Sequence, residues 1–269
     1  MIQKETTGPL RFSDLLSEKP TLGRSDALAT LAHFAIISYA VDPGRVRPHV
    51  HSRFEIDTFV QSPHGPQALV SMVPFEDQDF HFAGAARFKF RFGQTNYRTY
   101  VIDRETGERA VWFFGTTLDS WTVAVPRFWW RMPWHHGRIR FDCEFDASAR
   151  RYSRFSMTTR SNWAPAELEL EDSGQPLSEL SGMTDFESGL ATLTHPLLGV
   201  YNGRNGRLGS YRIWHDRLQC TTGRCLHAKI CLFDRLGLVP YAEQQSPHSV
   251  LIQRETEFAI YLPPGRVDE

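Results

Sequence analysis

Short alternating segments, separated by close turn signals, constrain the fold of this chain more than any other feature. In residues 88–92 and 139–145 every second residue is apolar, and the residues between them are polar or charged. Side chains that alternate in this way lie on opposite faces of a β-strand, one buried and one wetter. Residues 109–114 are more uniformly apolar, which is typical of a strand buried on both faces. The pattern predicts a protein built mainly from β-sheet.

The same reasoning, applied along the whole chain, gives many strands and few helices. The predicted strands cover residues 35–41, 68–75, 86–92, 97–103, 109–115, 138–145, 151–159, 166–171, 209–215, 226–233 and 249–261. A short helix is predicted over residues 44–50, because Asp42 can cap it and Pro43 suits its first position. A second runs from Asp119 or Ser120 toward Trp130, interrupted by Pro126, and a third covers residues 185–195. Without a βαβ rhythm, this order predicts an α+β or barrel-like domain.

Composition narrows the class of protein. The chain has 269 residues and a formal net charge of −1, which argues against binding nucleic acid mainly through counterion release. No apolar run approaches the ~20 residues of a membrane span, and the four cysteines show no CxxC spacing. We therefore expect a cytoplasmic protein with neither a nucleic-acid nor a membrane partner. An irregular N-terminal arm is predicted over residues 1–28, followed by one domain over residues 29–269.

Lysine is scarce, and this limits the available chemistry. Of the 30 basic residues only Lys4, Lys19, Lys89 and Lys229 are lysine, and the rest are arginine. Schiff-base catalysis requires a primary amine, so any such reaction must use one of these four side chains.

The most informative polar strand covers residues 96–101. Asn96, Arg98 and Tyr100 share one face of it, because side chains alternate along a strand. An arginine flanked by an amide and a phenol can hold a carboxylate through two parallel hydrogen bonds. A solvent-facing strand, with Arg98 bridging to an acidic residue, explains the pattern equally well.

Histidines supply the acid–base candidates, each with a plainer alternative. His135 and His136 follow Pro133 and Trp134; one of the two can enter a cavity as an acid, a base or a hydrogen-bond donor, or both can be solvated in a loop. His215 sits beside apolar neighbours, as a hydrogen-bonded core histidine commonly does. Cys225, His227, Lys229 and Cys231 share a strand face, but Cys225 and Cys231 lie too far apart for one metal ion, and even an i, i+4 pair spans ~13 Å. No metal is expected, and the role of this strand stays open.

The order of segments resembles a known family. The resemblance is carried by residues 39–42, 51–59, 70–75, 96–101, 111–114, 118–120, 193–201 and 213–215. This succession is similar to the YqjF-like bacterial proteins, which are grouped with the acetoacetate decarboxylase superfamily. The resemblance implies a closed, cone-like antiparallel β-barrel with short helices and an internal pocket for small keto or carboxylic acids.

The chain departs from the superfamily at the reactive centre. In the decarboxylases of that superfamily, paired lysines follow a Tyr-Pro, whereas residues 132–136 here read Met-Pro-Trp-His-His. The expected pocket glutamates are not recognisable either, and the comparable strand offers Ser71. Without an amine there is no imine to act as an electron sink. Acetoacetate decarboxylase activity is therefore not expected.

Together these observations predict a protein that binds a small carboxylate or carbonyl compound, with or without imine-free catalysis and with no cofactor. Arg98 would hold the anion, Asn96 and Tyr100 would orient it, and Trp112 and Trp134 would form apolar walls. His135 or His215 would serve as the acid or base. Two alternatives remain: a non-catalytic interaction or sensory module, and a lysine-dependent decarboxylase or aldolase using Lys89 or Lys229. A homo-oligomer is left open.

Overall fold

Fourteen strands dominate the part of the chain that the computed structural model describes, namely residues 12, 16, 18–63, 65–183 and 185–267. The strands are β1 Ala27–Val41, β2 Phe54–Ile56, β3 Val60–Ser62, β4 Gly65–Phe82, β5 Phe90–Asp103, β6 Arg109–Leu118, β7 Trp134–His136, β8 Arg138–Asp146, β9 Arg151–Arg160, β10 Ala166–Pro176, β11 Leu198–Asn202, β12 Leu208–Trp214, β13 Thr221–Ile230 and β14 Ser249–Arg266. The helices among these residues are α1 Pro43–Val46, α2 Phe186–Thr194 and α3 Cys231–Arg235.

Seven of these strands pair into a closed ring. Its order is β1-β4-β5-β6-β11-β12-β14, and β14 pairs again with β1 over Ala27↔Ile260 to Ser38↔Ser249. All ring pairings are antiparallel except β6 with β11, which are parallel from Gly199↔Val111 to Tyr201↔Phe113. This closed, mainly antiparallel arrangement with few short helices confirms the predicted fold class.

The ring strands are buried on both faces. Ile36 and Ile37 are both fully buried, yet they belong to separate clusters, one inside the ring and one outside it. Tyr100 and Val101 are divided between the same two clusters. Successive side chains of a strand point in opposite directions, so each ring strand contributes to two cores. This explains why its central strands read as nearly continuous apolar runs.

The outer core is covered by an extension of the sheet. Strands β13, β10, β9 and β8 continue in that order from β14. Their alternating patterns place Phe155, Met157 and Leu168 against the outside of the ring, while their other faces are exposed. The extension thus leaves the interior of the ring available for a cavity.

Two helices begin at the residues that the sequence predicted as their caps. Asp42 Oδ1 accepts from the Gly44 amide at 2.6 Å and starts α1, and a 3-10 turn follows it. Asp185 Oδ2 accepts from the Ser188 amide at 2.8 Å and starts α2, close to the predicted bounds. The helix predicted toward Trp130 is confirmed in its Ser120 cap, whose Oγ accepts from the Thr122 amide at 3.2 Å, and in its interruption near Pro126, but residues 121–129 form no α-helix. Its place is taken by a 3-10 turn, Trp121–Val123, and a π-helical turn, Val125–Trp129, because Pro126 lacks an amide hydrogen.

The predicted N-terminal arm falls largely outside the described residues. Ala27 and Leu28, which it was expected to include, already belong to β1. No helix of the described residues is long and apolar enough to span a bilayer. The division into an arm and one domain stays a prediction.

Candidate ligand-binding cavity

A cavity of about 310 Å³ lies inside the ring. All seven ring strands contribute to its lining, and most lining side chains are aromatic or aliphatic. The polar side chains facing it are Asp77, Gln94, Asn96, Arg98, Tyr211, Thr122, Thr194 and His215. An apolar cavity with a few convergent polar groups is the usual form of a small-molecule site.

Strands β4 and β5 form the polar wall. Val73, Phe75 and Asp77 face the cavity from β4, and Gln94, Asn96 and Arg98 face it from β5. Each set is spaced by two residues, as the pleat of a strand requires. Phe75 pairs with Gln94 and Asp77 pairs with Phe92 in the antiparallel register.

Arg98 is a buried cation with one hydrogen-bond donor left unsatisfied. It is only 8% exposed, and its Nη2 donates to the Leu193 carbonyl at 3.2 Å. Its Nε has no hydrogen-bond partner, and among the described residues no carboxylate pairs with it. A buried guanidinium is costly unless an anion and hydrogen bonds compensate it. The arrangement is therefore suited to an anionic ligand.

His215 lies beside this cation as a neutral imidazole. Its ring stacks on Phe258 at a centroid distance of 4.5 Å and meets the His195 ring at 4.6 Å. Nδ1 lies 2.7 Å from the Asp216 carbonyl oxygen, to which it donates in the corresponding tautomer. Burial, with a contribution from Arg98, lowers the pKa of His215 to about 4. The ring is therefore uncharged near neutral pH.

Asn96 and Tyr100 play different parts in the site. Asn96 lines the cavity, and its Oδ1 accepts from Gln94 Nε2 at 3.0 Å and Thr116 Oγ1 at 2.8 Å. The amide nitrogen of Asn96 is thus the donor that it can offer to a ligand. Tyr100 lies outside the lining and donates to the Leu193 carbonyl at 3.1 Å, the oxygen that Arg98 also contacts. Tyr100 therefore helps to position Arg98.

Two of the expected residues face away from the cavity. Trp112 packs against Phe54 in the outer core, with ring centroids 5.6 Å apart. His135 stacks on Trp163 at 4.0 Å, and burial, reinforced by Arg127, lowers its pKa to about 4. The cause in both cases is strand alternation, because their neighbours Phe113 and Trp134 are the ones that line the cavity. Of the seven predicted site residues, the cavity thus brings together Asn96, Arg98, Trp134 and His215.

The described lysines lie elsewhere. Lys19 pairs with Glu257, Lys89 Nζ lies 3.4 Å from Asp79 Oδ2, and Lys229 is exposed on β13. None of these three lines the cavity, and Lys4 lies outside the described residues.

Sequence reasoning missed Asp77. Its side chain lines the cavity, is 2% exposed and makes no hydrogen bond or ion pair with a described residue. Burial, and then the neighbouring Glu76, raises the pKa of this carboxyl well above its usual range. A signal existed, since Val73, Phe75 and Asp77 share one strand face. The predicted strand ended at residue 75, two positions before Asp77, whereas β4 continues to Phe82.

The mouth of the cavity carries exposed aromatic residues. Trp121 and Val125 both line it and are 77% and 43% exposed, and the adjacent Phe128 and Trp129 are 58% and 80% exposed. They belong to the two short helical turns between β6 and β7. The exposed end of the cavity is thus rimmed by apolar side chains.

The described residues offer no candidate metal centre. No group of three or more histidine, cysteine, aspartate or glutamate side chains among them is arranged to hold an ion. On β13, His227 Nε2 lies 3.6 Å from Glu167 Oε2. Cys231 begins α3, so the strand predicted over residues 226–233 ends earlier than expected.

Comparison with known proteins gives both a family and structural relatives. The model of the family DUF2071, described as an uncharacterized conserved protein, matches residues 28–257. No curated protein matches the sequence. Among solved structures, the enduracididine biosynthesis enzyme MppR complexed with pyruvate aligns with a TM-score of 0.55 at 13% identity, covering 97% of this chain and 98% of that one.

Two further solved structures point to the same fold. Acetoacetate decarboxylase from Legionella pneumophila has a TM-score of 0.55 at 14% identity and covers 95% of this chain and 94% of its own. An acetoacetate decarboxylase-like enzyme from Sphingomonas wittichii has a TM-score of 0.56 at 9% identity, with 94% and 97% covered. At these identities the likeness concerns the fold.

Proposed function

Because the chain belongs to the DUF2071 family and has an acetoacetate decarboxylase-like fold, we propose that it binds a small carboxylate or carbonyl compound inside its strand ring. One observation carries the proposal: Arg98 is buried at the cavity wall, with Nε unsatisfied and no carboxylate of the described residues beside it. A carboxylate is the natural partner for such a guanidinium, because it accepts parallel hydrogen bonds. Asn96 adds a donor, and the neutral His215 adds an uncharged ring to the lining.

Binding is favoured over catalysis by the state of His215. A general base works best when its pKa lies near the operating pH, whereas burial lowers the pKa of His215 to about 4. An imine-free proton transfer through His215 is therefore the secondary proposal. The open cavity of about 310 Å³ argues against an interaction module whose interior is filled by its own side chains.

The binding proposal is tested by carboxylate-dependent thermal stabilisation. Pyruvate, acetoacetate, benzoate and decanoate would be titrated into the wild type and Arg98→Met. A hydrogen-bonded charge contributes about 1.5–3 kcal/mol, so we expect Arg98→Met to weaken binding by roughly ten- to a hundred-fold. Arg91→Met is the matched control, because Arg91 lies on the same strand but is exposed and paired with Glu76 at 2.7 Å. Equal affinity of the wild type and Arg98→Met would contradict the proposal.

The lysine-dependent alternative has its own test. Borohydride reduction in the presence of pyruvate or acetoacetate traps any imine as a stable adduct detectable by mass spectrometry. We expect no adduct, since Lys19, Lys89 and Lys229 all lie away from the cavity. An adduct that disappears in Lys89→Arg or Lys229→Arg would establish the alternative.

A further inference from the structure

The carboxyl group of Asp77 is a second unsatisfied polar group at the cavity, on the same wall as Arg98. It is 2% exposed, and its Oδ2 has no hydrogen-bond partner. Asp79, two residues along the chain, instead pairs with Lys89 on the surface. A buried polar group without a partner costs free energy, so a retained one is commonly satisfied by something that binds.

Gln94 stands next to Asp77 on the neighbouring strand. The register pairs Asp77 with Phe92, so Gln94 is its diagonal neighbour, at roughly 7–8 Å. Gln94 Nε2 donates to Asn96, which leaves the carbonyl oxygen of Gln94 as an acceptor. One hydroxyl group between the two side chains can therefore accept a hydrogen bond from the protonated Asp77 carboxyl and donate one to the carbonyl oxygen of Gln94.

Of this pair, Asp77 is the residue that lies far from Arg98, whereas Gln94 is four residues from it on β5. Arg98 pairs with Ser71 and Asp77 pairs with Phe92, so six residues separate the two positions along either strand. At about 3.3 Å per residue, their α-carbons lie about 20 Å apart. The two side chains can lean along the strands and cover part of this distance, so a ligand that contacts both must be elongated. The cavity of about 310 Å³ has the volume of roughly ten water-sized groups at about 30 Å³ each.

The wall between the two ends is mainly apolar. Val73 and Phe75 line it from β4, and Asn96 is the polar side chain that lines it between Gln94 and Arg98 on β5. Such a surface suits a hydrocarbon or aromatic body. A charged group in the middle of the ligand would lose its hydration there without gaining an ionic partner.

We propose that Asp77 and Gln94 form a second subsite, which binds a neutral hydroxyl group at the far end of an elongated apolar carboxylate held by Arg98. This inference rests on the proposed function, because it takes the carboxylate at Arg98 as given. The hydroxyl is chosen over an amine because burial keeps the Asp77 carboxyl protonated, as its raised pKa indicates. A protonated carboxyl donates a hydrogen bond without creating a buried charge.

The test compares decanoate, ω-hydroxydecanoate and ω-aminodecanoate by isothermal titration calorimetry. We expect the wild type to bind the hydroxy compound roughly ten-fold more tightly than decanoate, and to bind the amino compound more weakly than either. Asp77→Leu and Gln94→Leu should remove the preference for the hydroxyl. Asp77→Asn should retain most of it, since an amide also donates. Asp79→Asn is the matched control and should behave like the wild type.

The outcomes separate the two proposals. Equal binding of decanoate and ω-hydroxydecanoate, a preference that survives in Asp77→Leu, or tighter binding of the amine overturns the second subsite. If decanoate still depends on Arg98 in those cases, the proposed function stands alone. If none of the carboxylates binds the wild type, the proposed function fails and the second subsite fails with it. Circular dichroism of each variant establishes that it is folded, and the near-isosteric Asp77→Asn remains informative if Asp77→Leu is not.

Discussion

Two buried arginines of this protein differ in what surrounds their charge. Arg53 contacts Asp103 through Nε at 3.1 Å and Nη2 at 2.9 Å, and both side chains are about nine-tenths buried. Arg98 instead donates to a backbone carbonyl that Tyr100 also contacts. In the first arrangement a carboxylate of the fold pairs with the guanidinium, whereas no carboxylate of the described residues pairs with the second. This contrast supports the proposal that Arg98 binds an anionic ligand.

The free energy of unfolding should reflect that difference. Arg53→Met leaves the Asp103 carboxylate buried without its cation, and we expect a loss of about 3 kcal/mol. Arg98→Met removes a buried charge and leaves the Leu193 carbonyl bonded to Tyr100, so stability should be unchanged or increased. Urea denaturation of both variants measures this. A loss for Arg98→Met as large as that for Arg53→Met would contradict the assignment of Arg98 to ligand binding.

The pH dependence of stability should contain a contribution from His215. Its folded pKa of about 4 lies below the usual 6.5, so the unfolded chain binds more protons between these values. The stabilisation is therefore complete above pH ~6.5 and is lost as the pH falls toward ~4, by about 3 kcal/mol in all. In His215→Gln, the free energy of unfolding should change less between about pH 7.5 and about pH 5 than it does in the wild type.

The control for this pH experiment is His136→Gln. His136 is exposed on β7, so its replacement should leave the pH dependence as it is in the wild type. Urea denaturation at each pH provides the free energies. If His215→Gln loses stability with falling pH as steeply as the wild type, the imidazole is not held neutral by burial.

At the level of elements, a bulge in β6 determines which side chains face the cavity. Tyr97 pairs with Gly115 and the next residue, Arg98, pairs with Phe113, so Phe114 is the extra residue. As a result Phe113 faces the cavity beside Arg98, and Thr116 still reaches Asn96 at 2.8 Å. In a strand without a bulge, Phe113 and Thr116 would lie on opposite faces, because they are three residues apart.

Gly115 permits this bulge by its lack of a side chain. A Cβ at this position would lie 2.6 Å from the Trp163 ring and 2.8 Å from the Pro133 carbonyl oxygen. Gly115→Ala should therefore cost about 1–3 kcal/mol and weaken carboxylate binding, because the strand must shift beside Arg98. Gly107→Ala is the comparison, since Gly107 has a φ of +73° but nothing within 4 Å. Similar losses for both variants, with carboxylate affinity unchanged, would show that close packing at Gly115 is unimportant.

The local sequence pattern predicted most helices and strands correctly. It failed where contacts with distant parts of the chain determine whether a segment forms a strand. The alternation of residues 138–145 and 151–159 and the caps at Asp42 and Asp185 predicted β8, β9, α1 and α2, because each depends on neighbours in sequence. Residues 86–92 and 97–103 were predicted as separate strands, whereas Phe90–Asp103 is one strand. The polar run between them is buried by partners from β4 and β6, which the local sequence does not reveal.

On the scale of the whole molecule, the site depends on closure of the ring. Arg98 lies on β5 and His215 directly follows β12, and they meet only because β14 pairs with β1 as well as with β12. The face shared by Asn96, Arg98 and Tyr100 was readable from the sequence. The orientation of Trp112 and His135 away from the cavity could not be predicted, because alternation alone does not show which face of a strand lines the interior of the ring.

The shared strands should also make the whole fold unfold as one unit. Ile36 and Ile37 show that β1 serves the inner and the outer core at once, so neither core can be lost alone. Phe155→Ala, in the outer core at 2% exposure, should lower the free energy of unfolding by about 3–5 kcal/mol. Tryptophan fluorescence and far-ultraviolet circular dichroism should then report one coincident urea transition, shifted as a whole.

The matched control is Phe128→Ala, whose side chain is 58% exposed and should change stability by less than about 0.5 kcal/mol. In Phe155→Ala, addition of a bound carboxylate should shift the entire transition upward, because ligand binding to the inner cavity stabilises every strand that unfolds with it. Two separate transitions, with the ligand shifting only one, would mean that the extension β13-β10-β9-β8 is a unit independent of the ring. That result would also contradict the prediction of one domain over residues 29–269.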